Sequence, residues 1–299
     1  MSWAIHRAAP DSSPLFKRIA AGSAPVVDST ALQEVYTLPY ASINGQRIYF
    51  EDSGGDGPPV VLSHGILMDH EMFAPQLPAL TPEFRVITWD ERGFGLTEWD
   101  GKPFTYWDSA SDCLGLLDHL GIGRAVLGGM SQGGFLSLRA ALTAPERVRA
   151  LVLLNTCADL DPPQTLAANK GAFDMWVAAG PVDELANGIA TIIINEPAEN
   201  ARWIAKWRQT PKELVAEPAC CLFGRDDITP RLGEIACPAI AIHGDADNAL
   251  TIDRAKAMAA ALPGCGEVVR IPGAAHAANL THPDLVNPPL LAFLRGLPA

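Results

Sequence analysis

The chain has 299 residues, 48% of them hydrophobic, which allows a sizeable core arranged in one or two domains. Its formal net charge of −12 opposes association with nucleic acid or an anionic membrane, so we expect neither as a partner. No segment is apolar over the length of a signal peptide or a membrane span, which predicts a cytoplasmic protein. The six cysteines lack CxxC spacing, and we expect buried thiols.

The first 158 residues fall into two parts. Residues 1–40 contain four prolines among small and polar residues, which predicts an extended arm. Short β-branched runs then alternate with helix-length segments. The predicted strands cover 47–52, 59–63, 84–89, 124–127 and 150–154, and the predicted helices cover about 106–120 and 132–143. This alternation predicts an α/β protein with a mostly parallel sheet covered by helices on both faces.

The alternation of strands and helices stops between residues 159 and 234. Tryptophans and prolines lie there in helix-compatible stretches, which predicts a helical cap inserted into the domain. The core domain is therefore predicted over 41–158 and 235–299. Its second part contains strands at 238–243 and 267–271, a helix at 252–262, and a last helix that starts at Pro288 with Asn287 as its cap.

A serine lies at the centre of a glycine-flanked motif, Gly129 to Gly133, with Ser131 in the middle. The motif follows the apolar run at 125–127 and precedes a helical pattern, so the serine belongs to a strand-to-helix turn. Such a sharp turn exposes a serine hydroxyl above the sheet, and flanking glycines let strand and helix approach closely. The setting predicts that Ser131 is a nucleophile.

Three landmarks between residues 60 and 155 resemble those of the α/β-hydrolase superfamily. They are His64-Gly65 after one buried strand, Asp90 to Gly95 after the next, and the serine motif. Over roughly residues 45–297 the chain is similar to the cap-bearing branch, which includes 3-oxoadipate enol-lactonases, carboxylesterases, cofactor-free haloperoxidases and carbon–carbon bond hydrolases. The resemblance implies an α/β-hydrolase fold and a Ser–Asp–His triad.

The resemblance also indicates which histidine would activate the serine. A serine hydroxyl needs a general base, and the base needs an orienting carboxylate. The family's catalytic histidine lies early in the loop after the last strand, and His276 has that position. His282, which precedes Pro283, is expected to start a helix instead.

Several carboxylates are candidates for the third member of the triad. In the resembling proteins the acid lies three residues after a glycine that follows a strand, which implies Asp247. We expect the neighbouring Asp245 to cap its loop by hydrogen bonding. Some relatives place the acid after the preceding strand, so Asp159 and Asp161 stay as alternatives.

The resemblance further implies an oxyanion hole made of two backbone N–H groups, those of Ile66 and Gln132. His64 is expected to buttress the first of these loops without taking part in catalysis. We expect the next landmark to brace its turn through Asp90, Arg92 and Gly95. There is no HExxH sequence, no complete dinucleotide-binding glycine motif and no Walker A motif, so we predict neither a metal nor a cofactor.

A substrate pocket is predicted to contain residues of the cap and of the two catalytic loops, with core packing as the alternative for the tryptophans. These residues are Met68, Met130, Trp176, Trp203 and Phe223. They suit a small apolar or aromatic substrate. The cap lacks a marked basic cluster for a dicarboxylate, although Arg202, Lys206 and Arg208 are candidates.

These observations predict a serine hydrolase that cleaves a small-molecule carboxylic ester through an acyl-enzyme. The alternatives are hydrolysis of an enol-lactone or another lactone, carbon–carbon bond hydrolysis, and cofactor-free perhydrolysis. A ligand receptor built on the same fold is an alternative of a different class. The sequence leaves open whether the protein forms a homodimer.

Overall fold

The computed structural model describes residues 39–298. The predicted arm lies outside the described residues except for its last two, and Tyr40 already belongs to the first strand. Within the described range, no helix combines the length and the apolar character that crossing a membrane requires.

Eight strands within residues 39–298 form one sheet in the order β1-β2-β4-β3-β5-β6-β7-β8. The strands are β1 Tyr40–Ile43, β2 Gln46–Asp52, β3 Pro59–Ser63, β4 Arg85–Trp89, β5 Ala125–Met130, β6 Val148–Leu154, β7 Ala239–Gly244 and β8 Val269–Ile271. The first two strands pair antiparallel, and β3 to β8 run parallel. This topology confirms the predicted α/β class with a mostly parallel sheet.

Helices cover both faces of the sheet because the central strands are apolar on both sides. Successive residues of β3 belong to different core clusters: Val61 packs in one, and Val60 and Leu62 pack in the other. The described helices are α1 Leu77–Leu80, α2 Tyr106–His119, α3 Gln132–Thr143, α4 Pro163–Ala179, α5 Asp183–Ile193, α6 Pro197–Trp207, α7 Ala216–Phe223, α8 Ile252–Ala261, α9 Ala278–Thr281 and α10 Pro283–Arg295.

The segment between β6 and β7 contains four of these helices, α4 to α7, and we refer to them as the cap helices. Their tryptophans turn inward: Trp176, Trp203 and Trp207 are each at most 4% exposed. Trp176 and Trp207 make an edge-to-face contact with ring centroids 5.5 Å apart. These tryptophans belong to the same apolar cluster as strand residues such as Val60 and Leu62, so the cap helices pack onto the core of the sheet.

The last helix begins earlier than its prolines indicate. The predicted start at Pro288 was wrong, since α10 begins at Pro283, directly after His282. Asn287 does not cap the helix, because its side chain donates to the Pro75 carbonyl 3.0 Å away. Burial of the apolar face of α10 offsets the backbone hydrogen bonds that Pro288 and its neighbour cannot make.

Candidate active site

Ser131 forms the turn between β5 and α3, with φ +55° and ψ −115°. A non-glycine residue in this region of backbone conformation is strained, so the surrounding structure has to impose it. The glycines on either side have no room for a side chain. A Cβ on Gly129 would lie 2.1 Å from the carbonyl carbon of Gly133, and one on Gly133 would lie 2.0 Å from the carbonyl oxygen of Ser63. The motif is thus required by packing.

His276 lies in the loop between β8 and α9 and is 3% exposed. Its Nδ1 is 2.7 Å from Oδ2 of Asp247, in the loop after β7. A carboxylate accepts hydrogen bonds, so Nδ1 carries the proton and Nε2 keeps its lone pair. The histidine is therefore held in the tautomer that a general base requires.

The carboxylate of Asp247 accepts hydrogen bonds at both oxygens. Oδ1 accepts from the backbone N–H groups of Ala249 and Leu250 at 2.8 and 2.9 Å, and Oδ2 accepts from Asn155 Nδ2 at 2.9 Å as well as from His276. Burial by itself would raise the pKa of Asp247. The imidazoles of His276 and His243, together with these hydrogen bonds, outweigh burial and hold the pKa of Asp247 well below its usual range.

The other candidate acids have different partners. Asp245 accepts from the Gly273 N–H at 2.7 Å and from Arg270 Nε at 2.6 Å, which ties the β7 loop to the β8 loop. Asp159 and Asp161 both pair with Arg254. Among the candidates, Asp247 is the one that the described structure brings to His276.

Ser131, His276 and Ile66 line one cavity of about 160 Å³ beneath the cap helices. A charged pair, Asp161 and Arg225, also lies on its wall. Apolar side chains make up most of the remaining wall: Phe135, Phe173, Ile189, Ile192, Ile193, Leu222, Phe223 and Leu250. The arrangement brings a hydroxyl and an imidazole to the same largely apolar, partly open cavity.

Two backbone N–H groups beside Ser131 are free to bind an anion. Within the described residues, neither the Ile66 N–H nor the Gln132 N–H has a hydrogen-bond acceptor in the protein. Gln132 is the first residue of α3, where the helix dipole also favours negative charge. The Ile66 loop passes close to the serine, since a Cβ on Gly65 would lie 3.6 Å from Ser131 Cβ.

A family model of the alpha/beta hydrolase fold matches residues 58–283. The chain belongs to the α/β-hydrolase family. A Synechocystis sp. protein provisionally named a non-heme chloroperoxidase is 31% identical over 285 residues, covering 86% of this chain and 100% of that protein. A thermophilic esterase from Thermogutta terrifontis (malate bound) has a TM-score of 0.79 and 29% identity, covering 86% of this chain and 98% of the esterase. The enol-lactonase from Burkholderia xenovorans LB400 has a TM-score of 0.78 and 29% identity, covering 86% of this chain and 100% of the enol-lactonase.

His64 in this α/β-hydrolase is fully buried and has both ring nitrogens occupied. Its Nε2 accepts from the Glu91 N–H at 3.0 Å, so Nδ1 carries the proton and donates to the Gly65 carbonyl at 2.8 Å. Burial lowers the pKa of His64, which keeps the ring neutral. The side chain therefore supports the loop that precedes Ile66.

The loop after β4 of the hydrolase is held by buried ion pairs. Arg92 makes a bidentate pair with Asp112 at 2.6 and 2.7 Å. Asp90 accepts from the backbone N–H and Nδ1 of His70, both at 2.8 Å, and from the Leu96 N–H. These are bracing contacts, since neither Asp90 nor Arg92 lines the cavity.

Of the five side chains predicted to form the pocket, the structure places Phe223 in the cavity wall. The other four do not line this cavity. Each is at most 2% exposed and packs in one apolar core cluster: Met68, Met130, Trp176 and Trp203. Tertiary packing decides which face of a buried segment meets a cavity, and a local sequence pattern does not contain that information.

Asn155 and Glu91, which contact Asp247 and Gln132 of the candidate site, were missed by sequence analysis. Asn155 donates from Nδ2 to Asp247 and to the Ala275 carbonyl, at 2.9 and 3.3 Å. Asn155 directly follows β6, at the edge where the parallel strands end, and this position could have identified it as a candidate site residue from the sequence. Glu91 is fully buried and accepts from Gln132 Nε2 at 3.1 Å, and no pattern in the sequence indicates that contact.

Asp69, His70 and Asp90 bring three potential ligand atoms within 4.8 Å of one another in the described part of the hydrolase. These atoms already have partners in the protein. Asp69 accepts from the Glu71 N–H and pairs with Lys206, and Asp90 accepts from His70. The group is thus explained as an internal network, and we assign no metal to it.

Proposed function

We propose that the protein is a serine hydrolase that cleaves the carboxylic ester of a small apolar or aromatic substrate through an acyl-enzyme on Ser131. The observation that carries the proposal is the convergence of Ser131 and His276 on one cavity, with the His276 tautomer set by Asp247. The fold alone would not support it, because α/β-hydrolases carry out several reactions.

Each step of the proposed reaction uses a group with a fixed place. His276 Nε2 accepts the Ser131 proton as Oγ attacks the ester carbonyl, and the N–H groups of Ile66 and Gln132 stabilise the oxyanion. His276 then returns the proton to the leaving alcohol. Water, activated by the same imidazole, releases the acid and regenerates the serine. Asp247 stays ionised throughout and stabilises the imidazolium.

The size of the cavity supports a small substrate group. About 160 Å³ is close to the roughly 150 Å³ that holds a benzene-sized molecule in an apolar protein cavity. Phe173 and Phe223 meet edge to face in its wall, with ring centroids 5.4 Å apart. An acyl group of about four carbons, or a benzoyl group, matches this space.

The charges around the cavity support an uncharged substrate. Arg225 is 4% exposed in its side chain and is neutralised by Asp161 at 3.1 Å. The basic side chains that were candidates for binding a dicarboxylate do not line the cavity, and each already has an acidic partner: Arg202 with Glu71, Lys206 with Asp69, and Arg208 with Asp183. A substrate carboxylate would have to break one of these pairs.

A lactone is the second candidate substrate. It is an internal ester, so the same steps apply, and the structural similarity to an enol-lactonase favours it. Hydrolysis of a graded series of p-nitrophenyl esters and of uncharged lactones would rank the two. Higher kcat/KM on lactones would make lactone hydrolysis the main activity.

The Ser131→Ala variant tests the proposal. We expect it to fold normally and to lose at least about 10⁴-fold in kcat on p-nitrophenyl butyrate, because the nucleophile is absent. Hydrolysis near the wild-type rate would contradict the proposal.

Assays of the wild-type protein separate the alternative activities. Cleavage of vinylogous diketones without ester turnover would favour carbon–carbon bond hydrolysis, and peroxide-dependent oxidation without ester turnover would favour perhydrolysis. Binding of an ester without turnover would favour a receptor.

A further inference from the structure

Cap helix α6 makes a direct hydrogen bond to the loop that contains the proposed oxyanion donor. Trp207, the last residue of α6, donates from its indole Nε1 to the Leu67 carbonyl at 2.6 Å, and both groups are buried. Leu67 is next to Ile66. A side chain of the cap thus reaches the backbone that carries one of the two free N–H groups.

The backbone around Leu67 needs external support. Leu67 has φ +62°, a left-handed conformation that costs a bulky L-residue about 1–2 kcal/mol. The peptide between Gly65 and Ile66 is well fixed, because the Gly65 carbonyl accepts hydrogen bonds from the Met68 N–H and from His64 Nδ1. In a trans peptide the N–H points opposite to the carbonyl, so these bonds aim the Ile66 N–H. The Trp207 bond holds the Leu67 carbonyl, which belongs to the same peptide as the Met68 N–H, and thereby fixes the strained residue.

The indole is itself held firmly in place. Trp207 is 4% exposed and packs edge to face against Trp176. One residue earlier, Lys206 pairs with Asp69 at 2.5 Å and with Glu71 at 3.1 Å. Helix α6 therefore contacts the segment from Leu67 to Glu71 at three residues, and the donor cannot leave without breaking several contacts.

We propose that Trp207 is a positioning residue for the oxyanion hole, so that helix α6 sets the direction of the Ile66 N–H as well as covering the substrate. This inference rests on the proposed function. It assigns the cap a role in the rate of the chemical step, which differs from a role in substrate selection.

Trp203 offers a matched control in the same helix. It lies one turn before Trp207 and is 1% exposed. Its Nε1 has no hydrogen-bond partner among residues 39–298. The substitutions Trp207→Phe and Trp203→Phe therefore remove similar apolar volume, and one of them also removes a hydrogen bond to the catalytic loop.

The experiment measures kcat and KM on p-nitrophenyl butyrate for both variants. For Trp207→Phe we expect kcat to fall about 10-fold to 100-fold with KM within about 2-fold of the wild type, because misplacement of a donor weakens transition-state binding. The inhibition constant of a trifluoromethyl ketone, whose adduct with serine carries an oxyanion, should rise by the same factor. Trp203→Phe should stay within about 2-fold in all three quantities. Equal effects of the two variants would overturn the proposal.

A second variant covers the case in which Trp207→Phe does not fold. Incorporation of β-(3-benzothienyl)alanine at position 207 keeps the ring size and replaces the N–H by sulfur, so the same loss in kcat is expected. Wild-type kcat in that variant would overturn the positioning role. Wild-type protein that neither hydrolyses esters nor reacts with a fluorophosphonate would overturn the proposed function as well, whereas an active wild type with unaffected Trp207 variants overturns the positioning role alone.

Discussion

The edge of the sheet that carries Ser131, Asp247 and His276 and the cavity wall supplied by the cap differ in how their side chains are held. At the sheet edge, directional hydrogen bonds fix the side chains, as when Asp247 accepts from two backbone N–H groups, Asn155 and His276. The cap contributes mainly apolar surface to the cavity, as with Phe173 and Phe223. Hydrogen bonds depend on angle and distance, while apolar contacts tolerate changes in shape. Substitutions at the sheet edge should therefore alter the chemistry, and those in the cavity wall should alter substrate choice.

The largest expected effect at the sheet edge concerns its two neighbouring aspartates. In Asp247→Asn an amide replaces the carboxylate that accepts from His276, so the tautomer that leaves Nε2 free is no longer held. We expect kcat on p-nitrophenyl butyrate to fall about 10⁴-fold with little change in KM. Asp245→Asn is the control, because it removes a charge of the same loop and spares His276; it should keep kcat within about 10-fold. A larger loss of kcat in Asp245→Asn than in Asp247→Asn would make Asp245 the acid that orients His276.

A smaller effect is expected at Glu91, also at this edge. Burial, aided by the charges of Asp112 and Asp90, raises the pKa of Glu91 to about 8. The hydrogen bond from Gln132 lowers this pKa, but by less than burial raises it. In the unfolded chain the carboxyl loses its proton near its ordinary pKa of about 4.5. Between these values the folded state binds more protons, so the free energy of unfolding falls as pH rises towards 8.

The Glu91→Gln variant removes this pH dependence. The wild type should lose stability between pH 5 and pH 8.5 and the variant should not. We therefore expect the free energy of unfolding of the variant, minus that of the wild type, to increase by roughly 2–4 kcal/mol over this range, measured by urea denaturation. Glu146→Gln, at an exposed position, is the control and should follow the wild type. A constant difference between Glu91→Gln and the wild type across this pH range would show that Glu91 is ionised in the folded protein.

The smallest effect is expected in the cavity wall. Phe223→Ala enlarges the cavity, so the ratio of kcat/KM for p-nitrophenyl octanoate to that for the butyrate should rise about 10-fold. Met175→Ala serves as the control, because Met175 belongs to the cap but is 54% exposed and does not line the cavity. A fall in kcat on every ester, without a change in preference, would give the cap wall a catalytic role and erase the contrast with the sheet edge.

The sheet edge was more predictable from sequence than the cap for a physical reason. Strands such as β3 and β5 are continuous apolar runs, and the sharp turn at Ser131 follows from glycines that packing requires around it. The resemblance to the α/β-hydrolase superfamily indicated His276 and Asp247, and in the structure Nδ1 of His276 lies 2.7 Å from Oδ2 of Asp247. Parallel topology brings the ends of strands to one edge, so position in the sequence carries spatial information there.

The cap residues and the last helix carried less information in the sequence. Trp176 and Trp203 are as apolar as the cavity-lining Phe223, yet they pack away from the cavity because of how the helices meet. Pro288 lies inside α10, where the tertiary contacts of the helix outweigh its local preference. The bond from Trp207 to Leu67 joins residues 140 positions apart, so no local pattern indicates it.

The most direct test of the account is the site of fluorophosphonate labelling in the wild-type protein, mapped by peptide mass spectrometry. An activated serine should react stoichiometrically, and we expect the adduct on Ser131, with labelling abolished in Ser131→Ala and strongly slowed in His276→Ala because the general base is gone. An adduct on another residue, or unchanged labelling in Ser131→Ala, would contradict the assignment of Ser131 as the nucleophile.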